Sequence, residues 1–298
     1  MKAVIASAGS GTRFFPISKT INKCMLPVLD LPVVAYAVAD CLAAGADQIA
    51  IVIGAHETGQ QVRHYFTEDI GLRDFFSARG WHSKYQSIAH LHEQAQFTFI
   101  EQPRDGRYGS ALPVMLAADF INGEDFLLLT GDDLVLHTRG GQDLLDLVAA
   151  RTTAGTPGAM ATTTVPGARA HRYGILTLKR NIHGHQVIGS LVEKPANYQA
   201  HTAYINISRV LLSGDALRYF DALQPSVSNG EYQAVDAIAS YARDHDVLVH
   251  PISGQFYDCG DVAGWLAANN AAAGRSGIAG VEPCHQPTDR ERSPSKDN

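Results

Sequence analysis

Ala8-Gly9-Ser10-Gly11-Thr12-Arg13 follows the first apolar run of the chain, and its glycines let the backbone approach a phosphate group with amides turned inward as an anion nest. Arg13 has the planar fork that grips phosphate oxygens in pairs. Lys23 adds a compact charge suited to a phosphoryl group on which negative charge builds during transfer. Single residues exclude two familiar phosphate loops. A dinucleotide fingerprint needs a third glycine where Phe14 stands, and a helix opening at once, which Pro16 discourages. The P-loop needs Gly-Lys-Ser/Thr after its fourth spacer, and that triplet is missing.

Two further clusters carry compatible chemistry. In Glu101-Gln102-Pro103, Gln102 offers a donor and an acceptor that match the imide edge of uracil or thymine, and Gly109 would allow close packing on a ring or ribose. By itself this stretch is no more than a strand-to-helix loop. Thr130-Gly131-Asp132-Asp133 places two carboxylates after an apolar run, where they suit Mg²⁺, a cation that takes oxygen ligands together with substrate phosphates. A solvated Gly-Asp turn is the plainer alternative, and the position after a buried strand weighs against it.

These residues need a scaffold, and the first half of the chain alternates strand and helix signals. Lys2–Ser7, Gln48–Ile53, Gln96–Glu101 and Phe126–Thr130 read as strands, separated by helical stripes over Pro32–Ala44, Glu57–Phe66 and Ser110–Phe120. Alternation of this kind predicts βαβ units, with ligands beyond the carboxyl ends of the strands. Ala159–Thr164, Gly174–Lys179, Gln186–Val192, Ala203–Leu212 and Val247–Ile252 make the second half richer in strands. Helices are expected at Gln233–Arg243 and Val262–Ala273. The polar stretch 67–95, with a helical middle at Leu72–Arg79, is expected to be a surface insertion. From Gly274 onward the Ser, Pro, Asp, Arg and Lys content predicts a disordered tail over 274–298.

Composition narrows the function classes. Of 298 residues, 45% are apolar and 18% charged, a globular balance. A net charge of −6 leaves no basic footprint for nucleic acid or an anionic membrane, so a polyphosphate has to be held by a local cluster. No stretch approaches the ~20 apolar residues of a membrane span. The start carries no signal-peptide pattern, and Cys24, Cys41, Cys259 and Cys284 show no framework spacing, so a cytoplasmic location is expected. His90, His92, His183 and His185 lie in polar stretches and are expected to be solvated.

Taken together, Gly9-x-Gly11-Thr12-Arg13-x-x-Pro16, then Lys23-Cys24-Met25-Leu26-Pro27, then Gly109-Ser110-Ala111, resemble the bacterial UTP–glucose-1-phosphate uridylyltransferase family of sugar-1-phosphate nucleotidyltransferases. Tyr173-Gly174-Ile175, Val192-Glu193-Lys194-Pro195, a weaker Gly230–Ile238 match and Asp258-Cys259-Gly260 follow in the same order. The resemblance spans Met1 to Ala273, and it implies an α/β, Rossmann-like open mixed sheet, mostly parallel and flanked by helices. It implies Arg13 and Lys23 as catalytic, with Ala8, Gly9, Gly11, Thr12, Gln102 and Gly109 on the nucleotide. Gly174, Glu193 and Lys194 would bind the sugar phosphate, and Asp132 and Asp258 would hold Mg²⁺. A single domain, 1–273, would divide into a nucleotide half, 1–140, and a sugar-phosphate half, 141–273. The implied reaction joins UTP and glucose 1-phosphate into UDP-glucose and pyrophosphate. The open alternatives are a thymidylyltransferase using dTTP and a silent nucleotide-sugar-binding paralogue. A homo-oligomer is compatible with the sequence. Asn22 stands where the family has proline, Arg107 where it has a small residue, Asp133 where an apolar residue is frequent, and Ser208 where glycine is frequent.

Overall fold

The computed structural model of the chain describes residues 1–139 and 141–276. Its centre is a nine-stranded sheet, built from apolar runs too short and too β-branched to prefer helix. The chain enters it with β1 (Lys2–Ser7), makes a small hairpin of β2 (Pro27–Val28) and β3 (Leu31–Pro32), and turns into α1 (Val33–Ala43). Then come β4 (Gln48–Gly54), α2 (Glu57–Tyr65), α3 (Ile70–Ala78), α4 (His82–Tyr85) and β5 (Gln96–Gln102). The helix expected over Ser110–Phe120 is two short pieces, α5 (Leu112–Leu116) and α6 (Ala118–Ile121). After β6 (Phe126–Thr130) the chain adds a strand that sequence reasoning missed, β7 (Asp133–Leu136), and the likewise unexpected α7 (Gln142–Ala154).

The second half holds β8 (Gly158–Pro166), β9 (Gly174–Arg180), β10 (Gln186–Glu193) and β11 (Thr202–Leu212), then the helices α8 (Leu217–Asp221) and α9 (Ala234–Asp244). It closes with β12 (Val247–Pro251), β13 (Gln255–Asp258) and α10 (Val262–Arg275). Helix therefore continues through Gly274 and Arg275, where a tail is expected from sequence; the rest of that stretch, 277–298, lies outside the described residues.

Strand order is β5-β4-β1-β6-β11-β8-β12-β10-β9. Pairing is parallel from β5 to β6 and between β8 and β12. The expectation of a mostly parallel sheet thus describes the first half. In the second, β11 runs antiparallel to β6, β8 and β9, and β10 antiparallel to β9 and β12. The cause is connectivity: β9 and β10 are joined by a short polar turn, Asn181–His185, and a hairpin can only be antiparallel.

Side chains alternate across the sheet with period two. Val4, Val52, Leu128 and Val210 face one layer with Val114, Phe220, Ile238 and Tyr241 of α5, α8 and α9. Ala3, Ile5, Ile49, Ile51, Leu127 and Leu129 face the other, with Val34, Val38 and Cys41 of α1 and Val62 of α2. Helices on both faces explain why these strands are continuous apolar runs. The helices α3 and α4 bury no residue in the core. Phe76 instead meets Trp81 and Tyr85 edge-on or tilted, and the Arg79 guanidinium lies 3.6 Å over the Phe75 ring.

Two long-range devices set up the mouth of the sheet. Strands β7 and β13 pair outside it, with Asp133 opposite Asp258 and Leu134 opposite Tyr257. Meanwhile α10 returns to the amino-terminal segment: Trp265 Nε1 and Asn269 Nδ2 donate to the Pro27 carbonyl at 2.8 and 3.1 Å, four residues beyond Lys23.

Candidate active site

Beyond the carboxyl ends of β1 and β6 lies a cleft of about 480 Å³, walled by Arg13, Lys23, Asp132, Asp133, Arg172, Gly174, Glu193, Lys194, Asn206, Ser208 and Asp258, among others. The sequence spreads these residues over most of its length, and the fold brings them to one place. For Asp132 and Asp258 the means is the β7–β13 pair, because strands that face Asp133 with Asp258 bridge 126 residues of chain.

The loop after β1 is held by its own polar groups. Gly11 is left-handed (φ +65°), as the turn demands, and its carbonyl accepts from Ser18 Oγ at 2.7 Å. A Cβ on Gly9 would stand 3.2 Å from Lys23 Nζ, so the bare glycine gives the lysine its path across the loop. Ala8 packs at the edge of the core, and Thr12 and Arg13 form an exposed turn at the rim. Asn22 is buried; its side chain accepts from Cys24 N–H at 2.9 Å and donates to the Ser7 carbonyl at 3.3 Å. It therefore pins Lys23 to the end of β1, by a cap where a proline would use ring geometry.

Lys23 Nζ donates to Asp132 Oδ2 at 2.5 Å. Burial pulls the lysine pKa down, but the Asp132 charge and hydrogen bond outweigh it and leave the value raised. The same pair works on Asp132, where burial raises the pKa and the charges of Lys23 and Arg13 bring it below the usual carboxylate value. Asp133 has the opposite fate. Burial and then the charges of Asp132 and Asp258 push it up to about 7, and Thr130 Oγ1 donates to it at 2.5 Å. Asp258 Oδ1 accepts from Gly260 N–H at 3.0 Å, while Oδ2 faces Arg172 at 3.3 Å and Arg13 at 3.7 Å.

The fit of a divalent cation rests on Gly260. A Cβ there would meet the Arg13 guanidinium first and then come within 2.8 Å of Asp132 Oδ2 and 2.9 Å of Asp258 Oδ1, so the bare glycine leaves room where these oxygens and the arginine converge. Two carboxylates converging on one point, which the cations Arg13 and Lys23 would vacate for phosphates, are donors of the kind Mg²⁺ takes, with phosphates and water completing its sphere. Among the described residues no group of three or more His, Cys, Asp or Glu is arranged to hold a metal by protein ligands alone. His90 is exposed and pairs with Glu93 at 2.7 Å.

On another wall of the cleft, Gly174 and Glu193 are opposite one another across β9 and β10. A Cβ on Gly174 would meet Glu193 Oε2 at 3.1 Å and Val235 at 3.2 Å, so the glycine opens the cleft floor. Lys194 is left-handed (φ +42°) and pairs with Glu193 at 2.8 Å. Ser208 is left-handed too (φ +55°), which accounts for glycine being frequent there. It sits in the bulge that breaks β11–β8 pairing between Asn206 and Val210. That bulge aims the fully buried Arg209 at Asp40 (2.9 Å) and at the Asp133 carbonyl (2.8 Å).

Other expected residues stand apart from this cleft. Gln102 ends β5 without a wall position, and Arg107 is an exposed loop residue paired with Asp105 at 2.6 Å. At Gly109 (φ +132°) the space a Cβ would fill is taken by the Tyr232 backbone, with Ala111 N–H donating to the Tyr232 carbonyl at 2.9 Å, so the close approach of two chain segments by itself calls for a glycine there. Sequence reasoning also missed Arg172, Asn206 and Asp261. The signals were faint: an arginine just before Tyr173-Gly174, and an acid three residues past Asp258. Cys24, Cys41 and Cys259 are buried free thiols, with the Cys24 thiol pushed up to about 12 by burial and then by Asp132.

Known proteins resemble the chain in sequence and in fold. The family model described as nucleotidyl transferase matches residues 2–274. UTP–glucose-1-phosphate uridylyltransferase 2 of Staphylococcus saprophyticus is 30% identical over 265 residues, 89% of either chain. The Staphylococcus epidermidis UTP–glucose-1-phosphate uridylyltransferase is 29% identical over 266 residues, again 89% of each. A crystal structure of UDP-glucose pyrophosphorylase complexed with UDP-glucose superposes with TM-score 0.78 and 27% identity, covering 92% of this chain and 98% of that one. UTP-bound UGPase from Acinetobacter baumannii gives 0.77 and 27%, over 90% and 91%. The chain belongs to the nucleotidyl transferase family, in its UTP–glucose-1-phosphate uridylyltransferase branch.

Proposed function

We propose that the chain transfers the uridylyl group of UTP to glucose 1-phosphate, forming UDP-glucose and pyrophosphate. The observation that carries the reading is one cleft in which Arg13, Lys23, Asp132 and Asp258 meet Gly174, Glu193 and Lys194. The UTP-bound and UDP-glucose-bound relatives, alike over nine tenths of this chain, support uridine as the nucleoside. Residues 1–140 would then serve the nucleotide and 141–273 the sugar phosphate, in a cytoplasmic enzyme. No helix among the described residues is long and apolar enough to cross a membrane.

A phosphate oxygen of glucose 1-phosphate attacks the α-phosphorus in line, and the bond to the β-phosphate oxygen breaks as pyrophosphate leaves. The attacking oxygen is already ionised, so no general base is needed. Positioning and charge stabilisation make up nearly all of the catalysis. Arg13 grips the outer phosphates from the rim, and Lys23 leaves Asp132 for the α-phosphate, where charge builds. Glu193 accepts hydrogen bonds from sugar hydroxyls, and Lys194 holds the sugar phosphate. Ala8, Gly9, Gly11 and Thr12 would present backbone to the triphosphate, and Gln102, outside the cleft wall in the ligand-free protein, would offer its amide to a base that extends past the wall. Asp132 and Asp258 would hold Mg²⁺, which when bound neutralises phosphate charge and polarises the phosphoryl oxygens. Pyrophosphate release with UTP and then dTTP, each with glucose 1-phosphate, tests the reading; turnover with neither nucleotide would refute it.

A further inference from the structure

We infer that Arg172 is a latch on the metal site: it holds Asp258 in the substrate-free protein, and once displaced its guanidinium binds the phosphate of the sugar 1-phosphate. The inference rests on Asp258 being a metal ligand, as proposed above, and it assigns work to a residue outside that reading.

Arg172 ends the short turn Gly167–Arg172 that leads into Tyr173-Gly174, so its backbone belongs to the sugar side of the cleft. Its side chain crosses to the opposite wall, where Nη2 meets Asp258 Oδ2 at 3.3 Å and also Asp261 Oδ2. Asp261 is fixed independently, since its other oxygen caps α10 by accepting from Gly264 N–H at 2.9 Å. Arg172 therefore has a permanent anchor in Asp261 and an exchangeable partner in Asp258.

That partner is contested. Asp258 accepts from the Gly260 amide at Oδ1 and faces Arg172 and Arg13 at Oδ2, so a cation bridging to Asp132 competes with these arginines for the charge of the carboxylate. The contest can be lost by the arginine, because the pair is only partly buried, 31% exposed at Arg172 and 15% at Asp258, so water can take over the guanidinium when the pair opens. A fully buried pair such as Arg209–Asp40 could not open in this way.

Charge makes the exchange conditional on substrate. Without ligands, Lys23, Arg13 and Arg172 face Asp132, Asp258 and Asp261, which is close to neutral. A bare divalent cation would enter a site already lined by three positive side chains. A triphosphate arriving with it supplies the missing negative charge and draws Lys23 and Arg13 away. Arg172, released from Asp258, lies in the cleft wall with Lys194, where a phosphate can accept its fork.

The test reads metal binding directly, through the free Mn²⁺ signal in electron paramagnetic resonance, on nucleotide-free full-length protein. Arg172→Gln should bind Mn²⁺ about fivefold tighter than the unaltered protein, the worth of one partly exposed pair. Arg169→Gln removes the same charge from an exposed position on the same turn and should stay within about twofold, which controls for long-range field effects. In turnover, Arg172→Gln should raise the KM for glucose 1-phosphate about tenfold and leave the KM for UTP nearly unchanged, as expected of a lost charge-assisted contact. Tighter metal with weaker sugar phosphate is a pairing that a merely structural arginine does not produce. If the glutamine variant fails to fold, Arg172→Lys keeps the charge without the fork and should shift both quantities the same way by less. Unchanged or weaker Mn²⁺ binding in the folded variant, or equal tightening in Arg169→Gln, overturns the latch. Should Asp258→Asn bind Mn²⁺ as well as the unaltered protein, the metal assignment itself is wrong and the latch falls with it.

Discussion

In the proposed reaction Asp132 and Asp258 are the residues on which the chemistry would turn, since carboxylates beside a triphosphate would repel it unless a cation lay between them. Changing either to Asn keeps the shape and removes the charge. A loss of ~3 kcal/mol of transition-state stabilisation would lower turnover about a hundredfold. The Mg²⁺ concentration for half-maximal rate should rise in both variants, and the double variant should lose less than the two single losses added, because both remove one shared interaction. Full activity of Asp258→Asn with unaltered Mg²⁺ dependence would leave Asp132 with some other partner. At Ser208 the issue is backbone strain. A β-branched residue tolerates φ +55° worse than serine does, so Ser208→Val should cost about 1–2 kcal/mol in denaturant unfolding. Ser208→Gly, trading strain for chain entropy, should stay within about 0.5 kcal/mol. Equal stability of all three proteins would mean that the bulge is not under strain. These residues were legible in sequence to different degrees. Arg13, Lys23, Asp132 and Asp258 stand in short motifs that keep their chemistry wherever the chain goes. Gly109 is less legible, because a glycine needed by a neighbouring backbone looks, in sequence, like one needed by a ligand.

Among the elements, β7 and β13 have the least local support and the greatest consequence, since their pairing sets Asp133 against Asp258. Neither could be seen in sequence: each is four residues long, and only the partner more than a hundred residues away makes it a strand. The strands of the central sheet were visible because burial on both faces writes them as unbroken apolar runs. What anchors the short pair is a buried charge network. His137, just past β7, meets Asp40 of α1 at 2.5 Å and Asp143 of α7 at 2.7 Å, and Asp143 also accepts from Ser253 N–H at 2.6 Å, ahead of β13. Arg209 closes the network on Asp40. Burial pulls the His137 pKa down, but Asp40 and then Asp143 outweigh it, and the folded value is raised above the ordinary 6.5. A raised value means that this contribution is complete below 6.5 and is lost as pH rises through the folded pKa. For Asp143, burial raises the pKa while Ser253 and His137 lower it further, so its contribution is present above 3.8 and lost as pH falls through the depressed folded value. Melting temperature against pH should therefore be highest between these limits, and His137→Gln should flatten the decline on the alkaline side. An identical alkaline decline in that variant would remove His137 as its source. Arg209→Met should cost about 3–5 kcal/mol, the usual toll of breaking a buried pair and stranding Asp40. A loss under about 1 kcal/mol would show that the network adapts.

At the scale of the molecule, one cleft draws on residues from Arg13 to Asp258, with α10 returning to hold the segment just after Lys23. The open sheet and the position of its ligand cleft follow from strand–helix alternation and could be anticipated. The antiparallel second half could not, because hairpin connections and βα crossovers both begin as an apolar run followed by polar residues. The inward arrangement of Arg172 and Asp261 likewise depends on how the turn before β9 sits against the start of α10, which no local pattern encodes. The central claim is that this whole assembly performs uridylyl transfer, and the most direct measurement is pyrophosphate release from purified protein with glucose 1-phosphate and Mg²⁺. The account predicts sustained release with UTP, a slower rate with dTTP, none without the sugar phosphate, and one UDP-glucose formed per pyrophosphate. Absence of pyrophosphate with either nucleotide, from protein that binds UTP and is folded, would contradict it.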